Sequence, residues 1–152
     1  MPTSAELAAE AASLTLPRFA EAEALALGRI LTDLGLADGL PIVIDIRNAD
    51  RTFYHAALPG STPLNDLWAR RKSATALIFQ ESSFLVGTRN RERGQTLAIH
   101  GLSEADCADH GGAVPVRVAG VGMVAVATVS GLPSAEDHAL VVRALRQLLE
   151  AG

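Results

Sequence analysis

The sequence predicts a mixed α/β (α+β) domain in which an antiparallel sheet built of hairpins carries helices on its faces. Two stretches, about Ile42 to Ala57 and Ala113 to Ser130, alternate apolar and polar residues at period two around turn-forming residues. Each is followed by a helical pattern behind a capping residue. No repeat, low-complexity tract or long linker interrupts the 152 residues, so one domain spanning 1–152 is expected.

The elements follow in order. Ser4 to Leu14 is rich in Ala and Glu, with good helix propensity but a small apolar face, which predicts a peripheral helix. A second helix is predicted after Pro17, with Phe19, Ala22, Ala26, Ile30 and Leu34 on one stripe and Gly35 ending it. Ile42 to Arg47 and Thr52 to Ala56 flank Asn48-Ala49-Asp50, the turn chemistry of a hairpin. Ser61 or Thr62 caps a third helix from about Leu64 to Phe79, whose predicted buried face is Leu64, Leu67, Trp68, Arg71, Thr75 and Ile78. An arginine on such a stripe must snorkel or meet an anion. Residues 82–110 stay open, because Phe84-Leu85-Val86 suits a short strand or a helix end. Pro115 marks the strand from Ala113 to Ala119 as an edge or a bulge. Met123 to Val129 is largely apolar, as expected of a strand buried on both faces or covered by a neighbouring subunit. Ser134-Ala135-Glu136-Asp137 resembles a capping box, opening a last helix with Leu140, Val141, Ala144, Leu145 and Leu148 inward.

Composition narrows the function. A net charge of −4 offers no general attraction for a phosphate backbone, so no nucleic acid partner is expected. Arg89-Asn90-Arg91-Glu92-Arg93 reads as a solvated loop. The single cysteine, Cys107, cannot form an intramolecular bridge, and Met1 to Glu10 lacks the pattern of a signal peptide, which together suggest the cytoplasm. Val118 to Val129 is too short to span a bilayer, so no membrane partner is expected. Val129-Ser130-Gly131 lacks the Gly-x-Ser-x-Gly elbow, and no Gly-rich phosphate loop follows a strand. The reading therefore leans away from an enzyme, and no catalytic residue is assigned.

Three separated segments carry a family resemblance: Asn65-Asp66-Leu67-Trp68-Ala69-Arg70-Arg71-Lys72-Ser73-Ala74-Thr75-Ala76, His110-Gly111-Gly112-Ala113-Val114-Pro115-Val116, and Thr128-Val129-Ser130-Gly131-Leu132-Pro133-Ser134-Ala135-Glu136-Asp137-His138. With them the chain resembles the uncharacterised protein family 0303, which looks like a branch of the haem-degrading-domain superfamily. That superfamily also holds a secreted haem-binding sensor and an accessory protein encoded with glycolate oxidase. The resemblance implies a profilin-like domain with a central antiparallel sheet, assembly into homo-oligomers, and haem as a candidate ligand. It also matches Arg71 and Lys72 to a basic pair of the family.

The candidate ligand-binding residues are His110, Gly111, Gly112, Arg71, Lys72, Asp137 and His138. His110 stands at the entrance of a strand before two glycines that let a backbone approach closely, and histidine is the usual protein ligand of haem iron. Its alternative role is a structural cap. Arg71 and Lys72 suit a carboxylate or a haem propionate, or else an intramolecular salt bridge to Asp45 or Asp50. His138, in the first turn of the last helix beside Asp137, suits a neutral ring. Consecutive Asp-His side chains point to different helix faces, so no metal site is expected. His55, His100 and Cys107 have no partner by spacing. Two functions follow: a cytosolic domain binding a small ligand, haem or an anionic metabolite, or a non-enzymatic oligomeric adaptor that recruits protein partners.

Overall fold

In the computed structural model, which covers Met1–Gly152, both hairpins form. β1 (Val43–Arg47) pairs with β2 (Thr52–Ala57), and β3 (Ala113–Val118) pairs with β4 (Gly122–Ser130). β4 lies against β1, so the sheet has the order β2-β1-β4-β3 and every neighbour is antiparallel. The join places Ile44 opposite Val129 and Ile46 opposite Ala127, and Val114 follows on the same face. Period two then sends Val43, Asp45, Thr128 and Ala113 to the other face.

The first face is the main core. Ile42, Ile44, Ile46, Val116 and Val129 are buried there against Leu27 and Leu31 of α2 (Glu21–Ala37) and Val141 and Leu145 of α5 (Ser134–Ala151). Each such aliphatic side chain contributes about 1.5–3 kcal/mol of burial. The second face carries α3 (Pro63–Phe79), which packs on β4, β3 and β1. The apolar run of β4 is therefore explained within one chain: an interior strand has helices on both sides. Pro115 sits on the edge strand, where a missing N–H costs nothing to the ladder, and Leu16 bridges to Val118 along part of that edge.

Three helix assignments change. α2 starts at Glu21, with the Ala20 N–H donating to the Glu23 carboxylate at 2.8 Å, and passes through Gly35 to Ala37. Its fully buried residues are Ala24, Leu27, Gly28, Leu31 and Gly35, while Phe19, Ile30 and Leu34 of the expected stripe pack half-buried against the same core and Ala22 is exposed. Ala and Leu surround this helix, so periodicity admits more than one face. The two glycines decide between them: Gly28 lies under the Tyr54 ring, whose hydroxyl meets Thr32 Oγ1 at 2.6 Å, and Gly35 lies under Leu58 and Ile42.

On α3 the buried residues are Ala69, Lys72, Ser73, Thr75 and Ala76, while Leu64 and Ile78 are exposed. Only Thr75 belongs to the predicted face. Small residues let α3 lie close to a sheet face that presents Thr128, whose hydroxyl meets Ser73 Oγ at 2.8 Å. At the N-terminus the Thr62 N–H donates to Asn65 Oδ1 at 2.8 Å.

The region left open contains α4 (Ser83–Arg93) and a short 3₁₀ turn, Leu97–His100. Ser82 caps α4 by accepting the Leu85 N–H at 3.1 Å. The arginine segment is the end of this helix and not a loop, with Arg91 and Arg93 exposed as expected, while Arg89 holds Glu81 through both terminal guanidinium nitrogens, at 2.7 and 2.6 Å. This pairing keeps the Glu81 carboxyl below its ordinary pKa. α1 (Ser4–Ala12) places Leu7 against Phe84 and Leu85 of α4. At α5 the Ser134 side chain makes no cap. The Glu136 and Asp137 N–H groups donate to the Pro133 carbonyl instead, and the Asp137 carboxylate turns back to the preceding loop.

Candidate functional site

α3, the start of β3, the end of β4 and the first turn of α5 converge at one end of the sheet, around a buried ion pair. Lys72 Nζ donates to the Gly111 carbonyl (2.9 Å), the Val129 carbonyl (2.9 Å) and Asp137 Oδ2 (3.0 Å), using all three of its protons. Asp137 also accepts the Leu132 N–H at 3.0 Å and the Gly131 N–H at 3.3 Å. Burial lowers the Lys72 pKa against the pull of Asp137. Burial likewise raises that of Asp137 against the pull of Lys72 and the two amides. The intramolecular salt bridge considered for the basic pair exists for Lys72, with Asp137 as partner. Asp45 instead binds Arg47 and His55, and His55 also reaches Asp66 at 3.0 Å.

The two glycines after His110 serve this junction. A methyl group on Gly111 would strike the Ser134 carbonyl, and one on Gly112 would strike the Val129 carbonyl and Lys72 Nζ. The close backbone approach read from the sequence is therefore made to the protein itself.

His110 projects from the junction with its side chain 52% exposed. Its ring meets Trp68 edge-on, with centroids 5.2 Å apart and an interplanar angle of 82°. The Arg71 guanidinium lies over the same indole, 4.4 Å from its centroid, and Nε donates to the Glu104 carbonyl at 2.6 Å. That bond fixes one edge of the guanidinium and leaves the terminal nitrogens for an anion.

Trp68 and His110 line two clefts. One, of about 510 Å³, is walled by Arg71, Leu97, Leu102 and Cys107. The other, of about 420 Å³, runs past Leu64 and Ser134 above Lys72 and Asp137. Both volumes fall in the range of small-molecule sites. An exposed imidazole, an indole and a cation beside apolar walls fit a planar ligand with acidic groups, haem included. No group of three or more His, Cys, Asp and Glu side chains is arranged to hold a metal ion.

His138 lies apart from both clefts. Its buried ring packs on Phe84 at 5.0 Å, and Nε2 meets Glu10 Oε1 of α1 at 2.6 Å, while Nδ1 has no partner. The structure thus brings His110 and Arg71 together on the surface, sets Lys72, Gly111, Gly112 and Asp137 beneath them, and leaves His138 at the α1 contact. Sequence reasoning assigned Trp68 to the core. The signal that could have placed it at the site is the Trp68–Arg71 spacing, since residues three apart share a helix face.

A family model described as "Haem degrading protein HbpS-like" matches residues 19–146. A UPF0303 protein of Streptomyces avermitilis is 46% identical over 149 residues, covering 97% of this chain and 91% of the relative. Among solved structures, the Ybr137w protein matches with a TM-score of 0.89 at 28% identity, over 97% of this chain and 88% of that one. A structure titled PduOC:Heme Complex shares the fold, with a TM-score of 0.70 at 16% identity over 84% and 93%. No helix of the chain is long and apolar enough to cross a membrane. By family model and by identity over nearly its whole length, the chain belongs to the HbpS-like haem-degrading protein family and to the UPF0303 proteins.

Proposed function

We propose that the chain is a single-domain, cytosolic ligand-binding module whose site is built on His110, and that its ligand is haem or a similar planar metabolite with carboxylate groups. The observation that carries this reading is the exposed His110 imidazole, set edge-on to Trp68 beneath the Arg71 guanidinium and beside two clefts. The family description and the haem complex of a protein with the same fold support it. Bound haem supplies an iron centre with redox chemistry. The chain's own residues would hold it. His110 offers a ring nitrogen, Arg71 offers its terminal nitrogens to a carboxylate, and Leu97 and Leu102 give an apolar wall that excludes water. The buried Lys72–Asp137 pair holds the loop from which His110 projects.

A hemin titration followed at the Soret band tests the reading. Wild type is expected to shift the band, His110→Ala to lose that shift, and Arg71→Gln to weaken binding by about tenfold, the loss of one charge-assisted hydrogen bond. His138→Ala is expected to bind as wild type does, since its ring faces α1. An unchanged hemin spectrum with wild type would rule haem out.

A second reading, an oligomeric adaptor, draws on the outer face of α3. Leu64 and Ile78 there are 59% and 54% exposed, and Ile99 beyond the helix is 60% exposed. Light scattering at micromolar concentration is expected to give a multiple of 15.9 kDa for wild type, and a smaller particle for Leu64→Glu/Ile78→Glu. A wild-type particle of single-chain mass would remove homo-oligomerisation and this second reading with it.

A further inference from the structure

We propose that Asn90 of α4 is a positioning residue of the His110 site, acting through Asp109. This inference rests on the ligand-binding reading above and names a residue that fixes the geometry of that site.

Asn90 is a polar side chain in the last turn of α4, only 3% exposed. A buried amide costs stability unless both ends are bonded. Here both are: Nδ2 donates to Asp109 Oδ2 at 3.0 Å, and Oδ1 accepts Gln95 Nε2 at 3.0 Å. Chemistry fixes the orientation of the amide, because a carboxylate can only accept and only the nitrogen of Asn90 can donate to it. Gln95 is itself held by its backbone N–H, which donates to the Asn90 carbonyl at 2.9 Å.

One turn earlier, Gly87 faces the same partner. A methyl group on Gly87 would overlap the Asp109 carbonyl oxygen, so the absence of a side chain lets α4 press directly on the Asp109 peptide. Asp109 is thus gripped at its backbone by Gly87 and at its carboxylate by Asn90. The grip occupies Oδ2 and leaves Oδ1 toward the neighbouring ring, 4.0 Å from His110 Nε2. From the opposite side Lys72 holds the Gly111 carbonyl. His110 is therefore the exposed residue between two clamped neighbours, and only its side chain is left free to meet a ligand. Asp109 and His110 both line the larger cleft.

The experiment compares wild type, Asn90→Leu, His110→Ala and the double variant, with hemin as probe and the His110 ring signals followed by NMR. Asn90→Leu fills similar volume but leaves the Asp109 carboxylate without its donor. Hemin affinity is expected to fall by about threefold to tenfold, less than the loss that follows removal of a direct partner of a metal ligand, because Asn90 acts through Asp109. The His110 ring signals should move, and Asn90→Leu should weaken hemin binding no further once His110 is absent. Asp109→Asn separates orientation from charge: it can still accept from Asn90, so the ring signals should stay near those of wild type. If Asn90→Leu does not fold, Asp109→Ala removes the other half of the same contact and carries the comparison.

A folded Asn90→Leu with unmoved His110 signals and unchanged hemin affinity would overturn the proposal. So would a loss of hemin affinity that persists in full without His110. If wild type binds no hemin, the haem reading fails on its own, and the His110 ring signals still decide whether Asn90 positions that side chain.

Discussion

Lys72→Met is expected to destabilise the fold by about 3–5 kcal/mol, because it removes one partner of a buried ion pair and strands the other. Lys72 and Asp137 are each nearly inaccessible, with side chains 4% and 2% exposed. The ammonium also bonds the Gly111 and Val129 carbonyls, so the substitution frees two buried acceptors besides the carboxylate. Lys72→Met/Asp137→Leu should recover only the part due to the stranded charge, since the Gly111 and Val129 carbonyls and the Gly131 and Leu132 N–H groups still lose their partners. Urea unfolding of the three proteins measures this. A single variant as stable as wild type would show that the pair contributes little.

The same deficit should shrink as pH falls from neutrality toward 3.8, the ordinary value for aspartate. Burial raises the Asp137 pKa in the folded state, and losing Lys72 adds to that rise. A carboxyl with a raised folded-state pKa takes up its proton in the folded protein before the unfolded chain does. Acid therefore adds stability through that window, and the gain is lost as pH rises through the folded-state pKa. A deficit that grows in acid would contradict this assignment.

Gly112→Ala is expected to cost about 3 kcal/mol, combining left-handed backbone strain with displacement of packed neighbours. Gly112 has φ of 141°, and an added methyl would meet the Val129 carbonyl and Lys72 Nζ. Its own carbonyl accepts the Val129 N–H at 3.0 Å, just ahead of the Ala113–Thr128 register that opens β3. Gly101→Ala is the internal control. Gly101 also has positive φ, 76°, but open space around it, so only backbone strain of about 1 kcal/mol applies there. The excess at Gly112 measures the steric part, and equal losses at the two positions would refute it.

The two hairpins and the inward residues of α5 were readable from the amino-acid pattern, whereas the choice of edge over bulge for Pro115 and of helices over a neighbouring subunit as the cover of β4 came from the sheet order. Strand alternation and turn residues act between neighbours, and the α5 stripe of Leu140, Val141, Ala144 and Leu145 admits one solution because its opposite face is charged. The segments around Trp68, His110 and Asp137 also carried the family, since motifs are local by nature. The buried face of α3, and the choice of Leu27, Gly28 and Leu31 as the deepest residues of α2, depend on tertiary contacts. α2 carries Ala or Leu on most of its sides between the charged residues, and on α3 Leu64 and Ile78 lie outside while Lys72 lies within. That inversion depends on Asp137, 65 residues away in the chain, which neutralises Lys72 where no neighbour could. α4 was equally hidden, because its buried Asn90 and Gly87 make sense only against Asp109, brought to them by the fold. A local pattern records what a segment can do alone. The partner that completes a buried charge, a buried amide or a glycine contact is supplied by distant chain, and that is why the site residues were partly legible and their arrangement was not.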